Sequence, residues 1–175
     1  MPEQFINKVA ESGILTLDLE TFLPSGEIIV FDIKDYLFMG LILKEKEFRQ
    51  SLKTLDTGLY KDKIVAVTCT ADAIIPMWAY MLVTSALEPF ATSIHFGDAA
   101  TVRKKLLLEN INQLRAVDYT DKRVVIKGCG EVPIPEEAYM EATRLLRPVS
   151  KSIMYGEPCS TVPVYKKDKN SGTPM

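Results

Sequence analysis

Apolar and polar residues alternate early in the chain: Leu15, Leu17 and Leu19 are separated by Thr16 and Asp18, the two-residue period of a half-buried strand. Pro24-Ser25-Gly26 then supplies turn chemistry. A second strand over 27–33 is expected to pair with the first as a hairpin, and the apolar stretch 36–43 to add a third. Phe48, Leu52, Leu55 and Leu59 next recur at helical spacing beside Lys46, Glu47, Arg49 and Lys53, which predicts an amphipathic helix ending near Gly58.

From residue 63 the rhythm changes to short β-rich runs separated by longer helical ones, the pattern of βαβ units around a parallel sheet. Strands are expected at 63–68, 92–96, 123–127 and 152–155. Helices are expected at about 74–87, 99–114 and 135–147. The polar segment 166–175 reads as a flexible tail.

Residues 63–98 and 123–157 align with one single-residue gap, so the second half of the chain reads as a duplication. Cys69 matches Cys129, Ile75-Pro76 matches Ile134-Pro135, Ala79-Tyr80-Met81 matches Ala138-Tyr139-Met140, and Ser93-Ile94 matches Ser152-Ile153. The copies end in Phe96-Gly97-Asp98 and Tyr155-Gly156-Glu157. The expected fold is therefore α/β: one Rossmann-like parallel sheet built from two duplicated βαβ units, with an N-terminal β-hairpin or meander and a helix. Residues 1–165 would form a single domain, with 1–60 as its β-rich part.

Composition narrows the function. Among 175 residues, 21 basic against 23 acidic side chains give a formal charge of -2, which leaves no global field to draw the chain onto nucleic acid or anionic lipid. The longest apolar run, 73–83, is too short to cross a bilayer, and residues 1–11 show no apolar stretch of signal-peptide length, so no export signal is expected. A cytoplasmic protein that binds neither nucleic acid nor membrane is expected. In a reducing compartment three cysteines do not make a disulfide framework, so buried thiol, metal ligand and reactive thiol remain.

Placement favours a site. In a parallel sheet with right-handed crossovers the carboxyl ends of all strands share one edge, and ligands bind there. Cys69, Asp98, Cys129 and Glu157 all follow such ends, and Cys159 follows the last one. With the two duplicated first strands side by side, Cys69 and Cys129 would face each other. Pro76 and Pro135 mark helix starts whose positive dipole ends favour thiolates. Three thiolates and one further ligand suit zinc or an iron-sulfur cluster, with Asp98, Glu157 or His95 as the fourth ligand and Asp72 and Glu131 also near. The spacing matches no short metal motif. His95, the only histidine, aligns with Met154, which favours a core histidine, and no phosphate-binding glycine loop is present.

The runs VFDIKDYLFMGLILKEKEFR (30–49), VTCTADAIIPMWAYM (67–81) and SIMYGEPCSTVPVYKK (152–167) resemble the bacterial domain-of-unknown-function family 2480 along nearly the whole chain. The resemblance implies no reaction. It does imply neighbourhoods of iron-sulfur assembly genes, and hence iron-sulfur assembly proteins as partners. Three readings follow: a protein binding zinc or an iron-sulfur cluster through Cys69, Cys129 and Cys159; a thiol-dependent redox or sulfur-transfer enzyme; and an interaction domain with buried thiols.

Overall fold

The computed structural model describes residues 13–128, 130, 132–157 and 160–168. It is an α/β fold whose chain divides into two compact units. One is continuous, Ser25–Lys105; the other is split, Met1–Pro24 joined by Leu106–Met175.

The continuous unit holds a three-stranded parallel sheet in the order β2 (Ile28–Asp32), β3 (Ile64–Thr68), β4 (Ser93–Phe96). Helix α1 (Glu45–Lys53) lies between β2 and β3 in sequence, and α2 (Met77–Leu87) between β3 and β4. Four consecutive positions of β3 are buried, as a central parallel strand covered on both faces requires. Phe31, Phe48, Val65, Val83 and Leu87 lead its core.

The split unit repeats this plan in the order β1 (Ile14–Asp18), β5 (Arg123–Lys127), β6 (Ser152–Glu157), all parallel. Strand β7 (Ser160–Lys166) then pairs antiparallel with β6. Helix α3 (Ala99–Asn112) passes from the continuous into the split unit, and α4 (Glu136–Leu146) joins β5 to β6. Its core centres on Leu17, Leu107, Ile111, Val124, Ile126 and Ile153.

The correspondence of strand pairing extends beyond 63–98 and 123–157, and within those segments the registers match without a gap. Ile14 faces Arg123 where Ile28 faces Ile64, and Ser152 and Ser93 extend the two registers. A constant 59-residue shift (64 to 123, 75 to 134, 93 to 152) carries β3, α2 and β4 onto β5, α4 and β6, while β1 lies 14 residues before its counterpart β2. Small details obey it. Asp62 and Asp121 are both left-handed (φ 58° and 55°), and their amides donate to Phe90 O at 3.0 Å and Val149 O at 2.9 Å. Tyr80 meets Phe96 edge-on at 5.5 Å, and Tyr139 meets Tyr155 at 5.6 Å.

Four expectations are corrected. The first two strands do not form a hairpin. Asp18 and Asp32 each accept the amide two residues on, closing a 3₁₀ turn directly after the strand, and each strand then pairs parallel in its own unit. The stretch 36–43 is not a third strand: Met39 and Gly40 are left-handed (φ 52° and 72°), and one bridge, Phe38 to Ile42, closes a tight loop. The expected single sheet is two sheets, so β3 and β5 are not neighbours. Finally, residues 160–166 form a strand that the alternation rule misses, because Pro163 and a register shift between Ile153 and Met154 interrupt its period. Lys166 ends that strand, and 169–175 lie outside the described residues.

Candidate functional site

The 59-residue shift changes the meaning of the cysteines. It matches Cys69 with Gly128, and Cys129 with Thr70; the one-residue gap had been drawn to align two identical letters. Cys69 is partly buried against the core of the continuous unit, and its Sγ lies 3.7 Å from the carbonyl oxygen of Ala71. Its counterpart Gly128 sits under Tyr139, whose hydroxyl donates to the Gly128 carbonyl at 3.1 Å. A Cβ added at Gly128 would come within 2.6 Å of that hydroxyl, so the place suits glycine, whereas Cys69 packs its side chain at the edge of the core. Cys69 thus has a packing role that no ligand is needed to explain.

The other unit-specific candidates of the continuous unit are also engaged. Asp98 Oδ1 accepts the Thr101 amide at 2.7 Å, so it caps α3, and hydrogen bonds from Thr101 hold its carboxyl below the usual range. His95 Nε2 lies 3.0 Å from Ser93 Oγ, and Nδ1 lies 3.4 Å from Lys105 Nζ.

At the carboxyl edge of the split unit the structure assembles charge that the sequence reading left apart. Asp18 ends β1, Lys127 ends β5 and Glu157 ends β6. Lys127 Nζ is 3.2 Å from Asp18 Oδ2 and 3.9 Å from Glu157 Oε1. All three are part exposed, at 30%, 31% and 49% for Lys127, Asp18 and Glu157, so the network is worth little as stability and is read here as electrostatics. The hydrogen bond to Asp18, then the charges of Asp18, Glu157 and Glu20, raise the Lys127 pKa above that of a free lysine. Lys127 stays a cation.

Glu20 completes the edge. A Cβ on Gly130 would run into its carboxylate, so Gly130 lies directly against Glu20. The same edge of the continuous unit is closed differently: Asp32 Oδ1 accepts the Thr70 amide at 3.0 Å, and Oδ2 accepts the Thr70 hydroxyl. Burial raises the Asp32 pKa, but the bonds from Thr70 and Lys34 outweigh it and leave the carboxyl low. Asp18 could have been found from sequence by matching ILTLD (14–18) with IIVFD (28–32); Glu20 could not, since Lys34 stands at its equivalent position.

Cys129, Cys159 and Glu131 lie outside the described residues. Among the described residues no group of three or more His, Cys, Asp or Glu side chains is arranged to hold a metal. No helix among them is long and apolar enough to cross a membrane. No curated protein matches the chain, and no solved structure does. A family model does match, over residues 3–167, and the chain belongs to that family, described as protein of unknown function (DUF2480).

Proposed function

We propose that the carboxyl edge of the split unit binds a divalent metal ion, with Cys129 and Cys159 as thiolate donors and Glu157 as the leading carboxylate. One observation carries the reading. Lys127 and Glu157, each two residues before one of these cysteines, lie 3.9 Å apart on hydrogen-bonded neighbouring strands. Cys69 leaves the ligand set, since its inclusion rested on equivalence with Cys129 across adjacent strands.

The donor chemistry selects the ion. Two thiolates and a carboxylate suit a tetrahedral zinc or ferrous site with a position left for water or substrate. An iron-sulfur cluster held by this chain alone is a poorer fit, because four cysteine ligands are the rule and the chain has three. Partnership with iron-sulfur assembly proteins is consistent with ferrous iron as the ion. Asp18, Glu20 and Glu157 outnumber Lys127, so the edge attracts a cation.

Cobalt(II) added anaerobically to metal-free protein tests this. The expected result is a thiolate-to-cobalt charge-transfer band that Cys129→Ala and Cys159→Ala each remove. A cobalt spectrum without that band overturns the proposal. A thiol enzyme is the second reading, favoured by the permanent cation Lys127 two residues from Cys129, which would lower the thiol pKa.

A further inference from the structure

Helices α2 and α4 occupy the same place in the two units. Their buried positions match at the 59-residue shift: Ala79 with Ala138, Val83 with Ala142, and Leu87 with Leu146. Their solvent faces do not match. The exposed stripe of α4 reads Glu136, Met140, Arg144, Arg147; the same positions around α2 are Met77, Met81, Ser85, Glu88. Met81 and Met140 are each 70% exposed, so the two stripes see solvent alike.

Helix α4 is built for water. Acids fill its first turn and Arg144 its last, which complements the helix dipole. Helix α2 carries no formal charge along its 11 residues, and Met77 is 73% exposed. Its nearest charge is at the wrong end. Glu88 is the C-cap, where the dipole is negative, while the N-terminus has no acid in its first turn and no side-chain cap at Pro76.

The geometry points to a second copy of this chain as what covers α2, packed antiparallel against α2 of the first copy about a twofold axis. Antiparallel packing puts each Glu88 beside the uncapped N-terminus of the other α2, correcting both dipole mismatches at once. A helix of this length spans about 16 Å, so one crossing brings both ends into register. That register puts the twofold axis between residues 82 and 83, so Met81 of one helix meets the small Thr84 and Ser85 of the other, a long flexible side chain against two short ones. Parallel packing would instead set Glu88 against Glu88. A twofold contact is isologous, so this one uncharged stripe serves both partners.

Sedimentation equilibrium of the full chain tests it. The wild type is expected at the mass of two chains. Ser85→Arg and Glu88→Arg should each shift the mass to one chain, whereas Met140→Arg on α4 should leave the dimer intact. All three positions are exposed, and circular dichroism checks the fold; should Ser85→Arg misfold, Glu88→Arg decides. A wild type that is monomeric at every concentration overturns the inference. So does a dimer that survives both α2 variants, or one that only Met140→Arg disperses.

Discussion

Asp18 and Asp32 end the first strand of their units with the same cap and are engaged beyond it by different partners. Each accepts the amide two residues on, from Glu20 at 3.1 Å and from Lys34 at 3.0 Å. Asp32 is then closed off by Thr70. Asp18 faces Lys127, and through it Glu157. Two corresponding strand edges thus differ, one closed locally by Thr70 and one carrying the charges of Lys127 and Glu157.

Thr70→Val should cost about 1 kcal/mol at neutral pH, the low end for a hydrogen bond to a carboxylate because solvent screens it. Because the folded pKa of Asp32 lies below its unfolded value, its contribution is complete above the unfolded value of about 3.9 and fades as pH falls through the folded one. Urea denaturation of wild type and variant should therefore converge in acid. A difference that persists unchanged there would assign the cost to packing.

Gly97 and Gly156 occupy the same turn with φ 126° and 117°. Alanine at either place is strained by about 1–3 kcal/mol. Gly156→Ala should be the worse, because its Cβ would strike the Ser160 backbone oxygen, whereas that of Gly97 meets only the Thr101 side chain at 3.0 Å. Chemical denaturation ranks them, and the reverse order would contradict the turn geometry.

Valine at Asp62 or at Asp121 puts a β-branched residue in the left-handed region and should cost about 1–2 kcal/mol at both. Similar losses at the two positions support the gap-free register. A loss at one position only would count against it.

Between residues 63 and 157 the strands and helices were legible in the sequence, whereas 36–43 and 160–166 were not. The strand at 123–127 and the start of α3 at Ala99 agree with the apolar periods, because local pattern and burial coincide there. Pairing was not legible. Whether 14–18 pairs with 28–32 or with 123–127 depends on two distant segments that no local signal links. The likeness of 63–98 to 123–157 was visible, but pairing Cys69 with Cys129 puts the two segments one residue out of register with the strand pairing. Lys63 against Lys122, and the three buried positions that β3 and β5 share (65–67 and 124–126), are the better guide, since packing periodicity constrains register more than one shared letter does.

Lys127→Met should tighten cobalt binding to the split-unit edge by about fivefold or more. One unit charge removed at about 4 Å in a water-like dielectric is worth about 1 kcal/mol. Titration followed at the charge-transfer band reads the change. Unaltered affinity would mean that the ion binds away from Lys127.

The metal-binding account is tested most directly by metal content after anaerobic purification, compared among wild type, Cys69→Ala, Cys129→Ala and Cys159→Ala. The account predicts bound metal in the wild type, retained in Cys69→Ala and lost in both Cys129→Ala and Cys159→Ala. Loss of metal in Cys69→Ala with retention in either of the others would contradict it, as would a wild type that holds no metal even after reconstitution.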